Sequence, residues 1–328
     1  MRLAVPLAID PEALDGWRQD APVVELGGET MGTRWQVRLA APAGFDQAAL
    51  ETAMAQRLEQ ILAQMSHWRP DSLLGRFNRA AGGTWFTLPR DFVLVLETAL
   101  SVSESCGGSF DPAIGELVNL WGFGPEPSDG RPTAAALAQA RGRSGVSHLA
   151  YDPEHGRLRQ PGGLQLDFSG IAKGFAVDAL GEVLRAHQCR HALVEVGGEL
   201  LGLGIRPDGD PWWVELETPT HGASPFRVAL HQLAVATSGD YVRGRHTIDP
   251  RSGHPVAHAL AVSVIHSSAM WADAWATALS VEEPAAMEAL ATREGLAVRA
   301  LIRCEGHVRE WISPALSALL VEPETPGA

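Results

Sequence analysis

Cysteine is scarce and scattered. Cys106, Cys189 and Cys304 are the only three in 328 residues, and no two have the spacing of a metal-binding motif. This excludes a disulfide framework and a thiolate zinc site, and predicts buried free thiols in a reducing compartment. Apolar runs are short: none approaches the roughly 20 residues of a membrane-spanning helix, so no integral membrane protein is expected. The N-terminal apolar run, residues 3–9, is followed at once by Asp10 and Glu12 and by no small-residue cleavage site. It reads as no secretory signal and predicts a cytoplasmic protein; a periplasmic one would need a start further upstream. Clusters of Lys and Arg are also missing. Against 26 Lys and Arg stand 39 Asp and Glu, a net charge of −13, which argues against a surface that tracks nucleic-acid phosphates. There is no internal repeat.

What is present is enough apolar content, 45% of the residues, to bury a large core. One large domain or two interleaved lobes is predicted at this length. Residues 1–22 read as a mobile tail, 23–320 as the folded domain and 321–328 as a disordered end. Strands at 23–26 and 35–39 flank a glycine-containing turn over 27–33. Residues 48–65 carry Leu50, Met54, Leu58, Ile61, Leu62 and Met65 at helical spacing, a core-facing stripe in which the methionines are filler. Further helices are predicted over 92–103 and over 170–187, the latter capped by Ser169. Residues 296–311 read as a hairpin turning at Glu305-Gly306.

The chemistry concentrates in residues 236–277. There Thr237-Ser238-Gly239-Asp240 closes an apolar run, and His246 stands just before Ile248-Asp249-Pro250. Residues 259–265 read as a buried strand, and a helix begins with Ser268 as its N-cap. On that helix Asp273 and Thr277 are four apart, so their oxygens share a face. A carboxylate beside a hydroxyl suits Mg²⁺ bound with a phosphate-bearing substrate; the same spacing also describes a solvated helix face. Residues 166–178 pass from strand to helix with Lys173 in the first turn. That is a place for an anion, or a plain strand–helix joint with a surface lysine. The stretch is neither a Walker A loop nor a dinucleotide-binding turn. Val196-Gly197-Gly198-Glu199 is a tight hairpin, or backbone lying against a flat ligand.

Together these stretches resemble one family. Met31-Gly32-Thr33, residues 66–78, Gly108-Ser109-Phe110-Asp111-Pro112 with Trp121-Gly122-Phe123-Gly124, residues 166–178, Val196-Gly197-Gly198, and residues 236–241, 246–253 and 272–277 fall in the order of the ApbE family. These are the FAD:protein FMN transferases, and the resemblance runs from about Val24 to Glu282. It implies a two-lobed α+β fold, related to the T-fold, with mixed sheets, flanking helices and an FAD cleft between the lobes. It also implies Mg²⁺-dependent transfer of FMN from FAD to a Ser or Thr hydroxyl through a phosphoester bond, with release of AMP. The acceptor would be a flavin subunit of a redox or respiratory complex. Asp273, Thr277 and a backbone carbonyl near Gly170 match the family's metal ligands, and His246 its general base. Lys173 and Asp178 match positions near the nucleotide. Met31, Trp68, Gly197 and Gly198 would line the flavin, and Phe110, Asp111 and Ser238 match further FAD-binding positions. His254, His258 and His266 match nothing and read as structural or surface residues. Asp273 is expected as an exposed cleft carboxylate that contributes little to the core.

Three features depart from the family pattern. Trp68 stands where Tyr is common, Glu199 stands where Asp is usual, and the usual export signal is not seen. Two rival functions use the same residues: a hydrolase that splits FAD into FMN and AMP, and a flavin carrier without catalysis. Retention of His246 beside a complete Asp273/Thr277 pair argues against the carrier.

Overall fold

The protein is described from a computed structural model covering all residues except 220–223, 242–243, 305 and 322–328. The chain begins β1 (Arg2–Ala4), β2 (Val23–Thr30), β3 (Thr33–Ala40), α1 (Gln47–Met65), α2 (Leu73–Arg79), β4 (Trp85–Thr87) and α3 (Arg90–Ser105). Short elements follow: α4 (Gly115–Leu120), α5 (Ala134–Arg141), β5 (Ala150–Asp152) and β6 (Arg157–Arg159). Next come α6 (Ala172–Ala186), β7 (Ala192–Val196), β8 (Glu199–Leu203), β9 (Trp212–Glu215), β10 (Phe226–Leu230) and β11 (Leu233–Gly239). The chain closes with β12 (Ala259–His266), α7 (Ala269–Val281), α8 (Pro284–Arg293), β13 (Ala297–Cys304), β14 (His307–Ile312) and α9 (Pro314–Ser317).

Eight strands join in the order β14-β13-β12-β11-β8-β7-β3-β2, every pair antiparallel. Alternation along these strands sets the layers, because successive side chains point to opposite faces. Val194, Ala234, Ala236 and Val264 enter the large core shared with α1, α3, α6 and α7. Their neighbours Leu193, Val235 and Ile265 enter a second core with Trp212, Phe226, Val228 and Leu316, under the three-stranded sheet β1-β10-β9. Both faces of the central strands are therefore covered. A third sheet, β4-β6-β5, shares no strand with these two and sends Leu158 into the large core. Beside the main body a smaller cluster forms on α4 and α5 from Leu117, Leu137 and Ala140, and it also takes in Ile248. The α+β class is as expected.

Helix α7 is the buried spine. All its residues except Trp271 and Thr277 are buried, and its many alanines let neighbouring elements approach. Ser268 caps it, accepting from the Trp271 N–H at 3.4 Å. Glycine makes the crossing with α6 possible. A Cβ on Gly174 would lie 2.2 Å from the Ala269 carbonyl oxygen and 2.8 Å from Asp273 Cβ.

Several local expectations are corrected. The first residues are not a loose tail: β1 pairs in parallel with β10, and Ala4 is fully buried. The Trp17 indole N–H also donates to the Arg206 carbonyl at 2.8 Å. The apolar N-terminal run fills an otherwise open sheet edge. The end from residue 322, and Glu305 of the expected turn, lie outside the described residues; β13 and β14 form the hairpin on either side. Gly27 and Gly28 are not in a turn but within the β2 ladder, whose turn is Met31-Gly32, both at positive φ. Gly28 makes room for Trp35, whose indole nitrogen lies 2.8 Å from where a Cβ would stand. Ser169 does not cap α6. The N-cap is Ile171, without a side-chain bond, and the Ser169 N–H donates to Asp167 Oδ1 at 2.7 Å. Helix α8, started by Pro284 at its first turn, has no counterpart in the sequence reading.

Candidate functional site

A cavity of about 270 Å³ opens at one end of the eight-stranded sheet. It gathers the end of β11 (Thr237, Ser238, Gly239), the β7–β8 turn (Gly197, Gly198, Glu199), the start of α6 and one side of α7. Ser109, Phe110, Asp111, Ile114 and Val118 close a second wall, and His246, Thr247, Ile248 and Pro250 close a third.

At its floor stand Asp273 and Thr277, as helical spacing requires. Asp273 is not the exposed carboxylate expected from the sequence; it is 5% exposed, because α7 is buried almost all round. Its Oδ2 accepts the Gly174 N–H at 3.0 Å. Burial pushes its pKa above the ordinary carboxylate value, opposed by the Lys173 charge and by that backbone bond. The loop at Gly170 presses on Thr277, since a Cβ on Gly170 would lie 2.9 Å from Thr277 Oγ1. The donor set fits Mg²⁺ on chemical grounds: a carboxylate, a hydroxyl and loop backbone are hard oxygens on one small surface. Among the described residues no three His, Cys, Asp or Glu side chains converge as metal ligands. The set is therefore short of a full cage and leaves positions for water and substrate oxygens, as Mg²⁺ prefers.

Lys173 is the one lysine in the sequence, and it points into this cavity. Its ammonium is paired with the carboxylate of Glu199, which is 2% exposed. Burial drives the Glu199 pKa up to about 7, against the pull of Lys173. The glycine pair beside it has a visible purpose. Gly197 and Gly198 have φ of 62° and 103°, where L side chains are strained. A Cβ on Gly197 would also stand 2.7 Å from Thr33 Cγ2 and 3.4 Å from Lys173 Cδ. Bare backbone here lets the lysine stem pass.

His246 lines the cavity from the loop before Ile248. Ile248 anchors its loop in the α4–α5 cluster, the Trp121 indole donates to the Gly253 carbonyl at 2.8 Å, and Arg141 donates to the Arg251 carbonyl at 2.6 Å. The His246 ring meets Phe123 edge-on, with centroids 6.3 Å apart. Its Nδ1 is 2.9 Å from the Gly244 carbonyl. A carbonyl only accepts, so this contact places the proton on Nδ1 and leaves Nε2 as the basic nitrogen.

Ten of the expected positions therefore converge on one cavity: Phe110, Asp111, Gly170, Lys173, Gly197, Gly198, Ser238, His246, Asp273 and Thr277. Three do not line it. Asp178 spends its carboxylate on the N-terminus of α7, accepting from Ser268 Oγ at 2.6 Å, Ala269 N at 2.8 Å and Met270 N at 3.0 Å. Met31 sits at the β2–β3 turn, and its neighbour Thr33 takes the place on the wall. Trp68 is 60% exposed, tilted against His67. Asp111 lines the cavity, and its carboxylate also ties loops together, accepting from Ala113 N at 2.7 Å and Val146 N at 3.0 Å. His258 and His266 are structural, as expected: His258 Nε2 meets the Glu282 carbonyl at 2.7 Å, and His266 Nδ1 accepts from Ser268 N at 3.0 Å. Sequence reasoning missed Asp167 and Glu217. Asp167 was inside a recognised motif; Glu217 sits in a loop with no periodic or motif signal.

Comparison with known proteins identifies the family. The model of the ApbE family matches residues 31–302. A protein of Klebsiella pneumoniae (strain 342) named FAD:protein FMN transferase is 33% identical, over 90% of this chain and 89% of its own. One of the same name from Escherichia coli (strain K12) is 31% identical over 91% and 90%. Among solved structures, the flavin transferase ApbE of Vibrio cholerae superposes with a TM-score of 0.85 at 32% identity, covering 91% of this chain and 100% of that one. The apo flavinyl transferase ApbE of Pseudomonas stutzeri gives 0.84 at 35%, covering 91% and 96%. With the family matched over most of its length and the expected residues gathered at one cavity, the chain belongs to the ApbE family.

Proposed function

We propose that this protein is an FAD:protein FMN transferase that attaches FMN to a Ser or Thr hydroxyl of an acceptor protein and releases AMP. The carrying observation is the convergence of His246, Lys173, Asp273 and Thr277, distant in sequence, on one cavity. In this reading Asp273, Thr277 and the Gly170 carbonyl hold Mg²⁺, and Lys173 offers a positive charge to the pyrophosphate. When bound, the ion offsets negative charge on the phosphates, the main demand of phosphoryl transfer. His246 Nε2 takes the hydroxyl proton as the acceptor oxygen bonds to the FMN phosphorus. The bond from that phosphorus to the bridging oxygen breaks, and the oxygen leaves with AMP. Phe110, Ile114 and Val118 supply apolar side chains to the cavity wall.

The acceptor in this reading is a flavin-carrying subunit of a redox or respiratory complex. Three unpaired cysteines support a reducing, cytoplasmic setting; cell fractionation tests it, and recovery outside the inner membrane would contradict it. For the activity, AMP release is measured from FAD and MgCl₂ with and without acceptor. Release that depends on the acceptor and stops with EDTA is expected. Equal release without acceptor would mean hydrolysis, and no release would remove the reading.

A further inference from the structure

The cavity holds more carboxylates than cations. Asp111, Asp167, Glu199, Glu217 and Asp273 line it, and among the described lining residues Lys173 is the one Lys or Arg. Where water is excluded, an ammonium pairs with whichever carboxylate it reaches. Two buried ones lie near it: Glu199, 2% exposed, and Asp273, 5% exposed, whose ionised form Lys173 favours through its charge. The lysine stem crosses Gly197, which fixes its path, and the tip sits on Glu199 Oε1. The other Glu199 oxygen, Oε2, is buried with no hydrogen-bond partner among the described residues. The Lys173 ammonium is thus the side-chain partner that orients this carboxylate.

We propose that Glu199 is a positioning residue that holds the Lys173 ammonium on its own side of the cavity and so leaves the Asp273 carboxylate to a divalent cation. Without Glu199 the ammonium swings to Asp273, where it occupies the place of the ion. This rests on the reading of Asp273 as a metal ligand, but the Glu199–Lys173 tie can be judged without metal.

A single lysine makes the test direct, because protein labelled with ¹³C,¹⁵N-lysine gives one side-chain signal. Wild type, Glu199→Gln, Asp273→Asn and Glu217→Gln are compared at pH 8 without FAD, then titrated with MgCl₂ alone. Metal-free, Glu199→Gln should move the lysine signal while Asp273→Asn leaves it nearly in place. Half-saturation of Glu199→Gln should need at least about tenfold more Mg²⁺ than wild type, the scale of one charge-assisted hydrogen bond. Mg²⁺ should then shift its lysine signal again. Glu217→Gln removes a carboxylate from the same wall without releasing the lysine, so its Mg²⁺ affinity should fall far less. The proposal is overturned if Asp273→Asn moves the lysine as far as Glu199→Gln does. It is also overturned if Glu199→Gln binds Mg²⁺ like wild type, or if Glu217→Gln weakens binding equally. A wild type that binds no Mg²⁺ would remove the metal reading and, with it, the consequence for the cation; the metal-free signals would still judge the tie. Should Glu199→Gln not fold, a crystal of wild type in MgCl₂ decides. Ammonium on Glu199 with the ion on Asp273 supports the proposal, and ammonium on Asp273 overturns it.

Discussion

Asp273 shows how burial changes what one residue does. Its raised pKa means that the folded state holds the proton more tightly than the unfolded chain, whose carboxylate titrates near 3.8. Stability contributed by this site is therefore full below that value and is lost as pH rises toward the folded pKa. Asp273→Asn should thus be more stable than metal-free wild type at pH 8, with the difference shrinking toward pH 4, as read by urea unfolding. Mg²⁺ at 100 times its Kd should raise wild-type stability by about 2.7 kcal/mol and leave Asp273→Asn unchanged. A variant less stable than wild type at pH 8 would contradict the burial argument. His246 makes the opposite case, a residue on a loop rather than in the core. His246→Ala should lower acceptor-dependent AMP release by roughly 10²–10⁴-fold, the worth of general-base catalysis, with FAD affinity by calorimetry unchanged. Joint loss of FAD binding would mean that the imidazole only braces its loop.

At the scale of elements, α7 depends on contacts that sequence spacing does not display. Its Asp273/Thr277 face was legible because a four-residue step is local, and its start was legible from Ser268. The Asp178 carboxylate that also caps it comes from α6, 90 residues away in the chain, so its motif position pointed to the nucleotide instead. Asp178→Ala should cost about 1–3 kcal/mol in urea unfolding, because it strands the hydroxyl and two N–H groups at a buried helix end. A change under about 0.5 kcal/mol, the range of an ordinary surface substitution, would mean that Ser268 caps the helix alone. Gly174 sits where α6 crosses α7, and Gly174→Ala forces a methyl against the Ala269 carbonyl. It should cost about 1–3 kcal/mol by overpacking and weaken Mg²⁺ binding by displacing Asp273. Normal stability with normal Mg²⁺ affinity would show that the crossing yields freely. The glycines of β2 were misread for a related reason. Gly27-Gly28 looks like a turn locally, and only the cross-strand Trp35 reveals the need for bare backbone.

Over the whole molecule, what the sequence disclosed was what repeats locally or travels as a motif. Helical stripes such as Leu50, Met54 and Leu58 were readable from their period, and the buried strand at 259–265 from its apolar run. The ordered motifs carried most of the cavity, but not Glu217. Non-local pairings were not readable: β1 on β10, the second core beneath the sheet, and the Ile248 anchor that swings the His246 loop onto the α4–α5 cluster. That anchor puts His246 on the cavity that Lys173, Asp273 and Thr277 also line, and the proposed transfer depends on it. The most direct measurement is the intact mass of a candidate acceptor after incubation with the protein, FAD and MgCl₂. The account predicts an acceptor heavier by one FMN less a water, carried on a Ser or Thr, with one AMP released per acceptor modified and no mass gain with Asp273→Ala. FAD consumed to free FMN and AMP with the acceptor mass unchanged would contradict it.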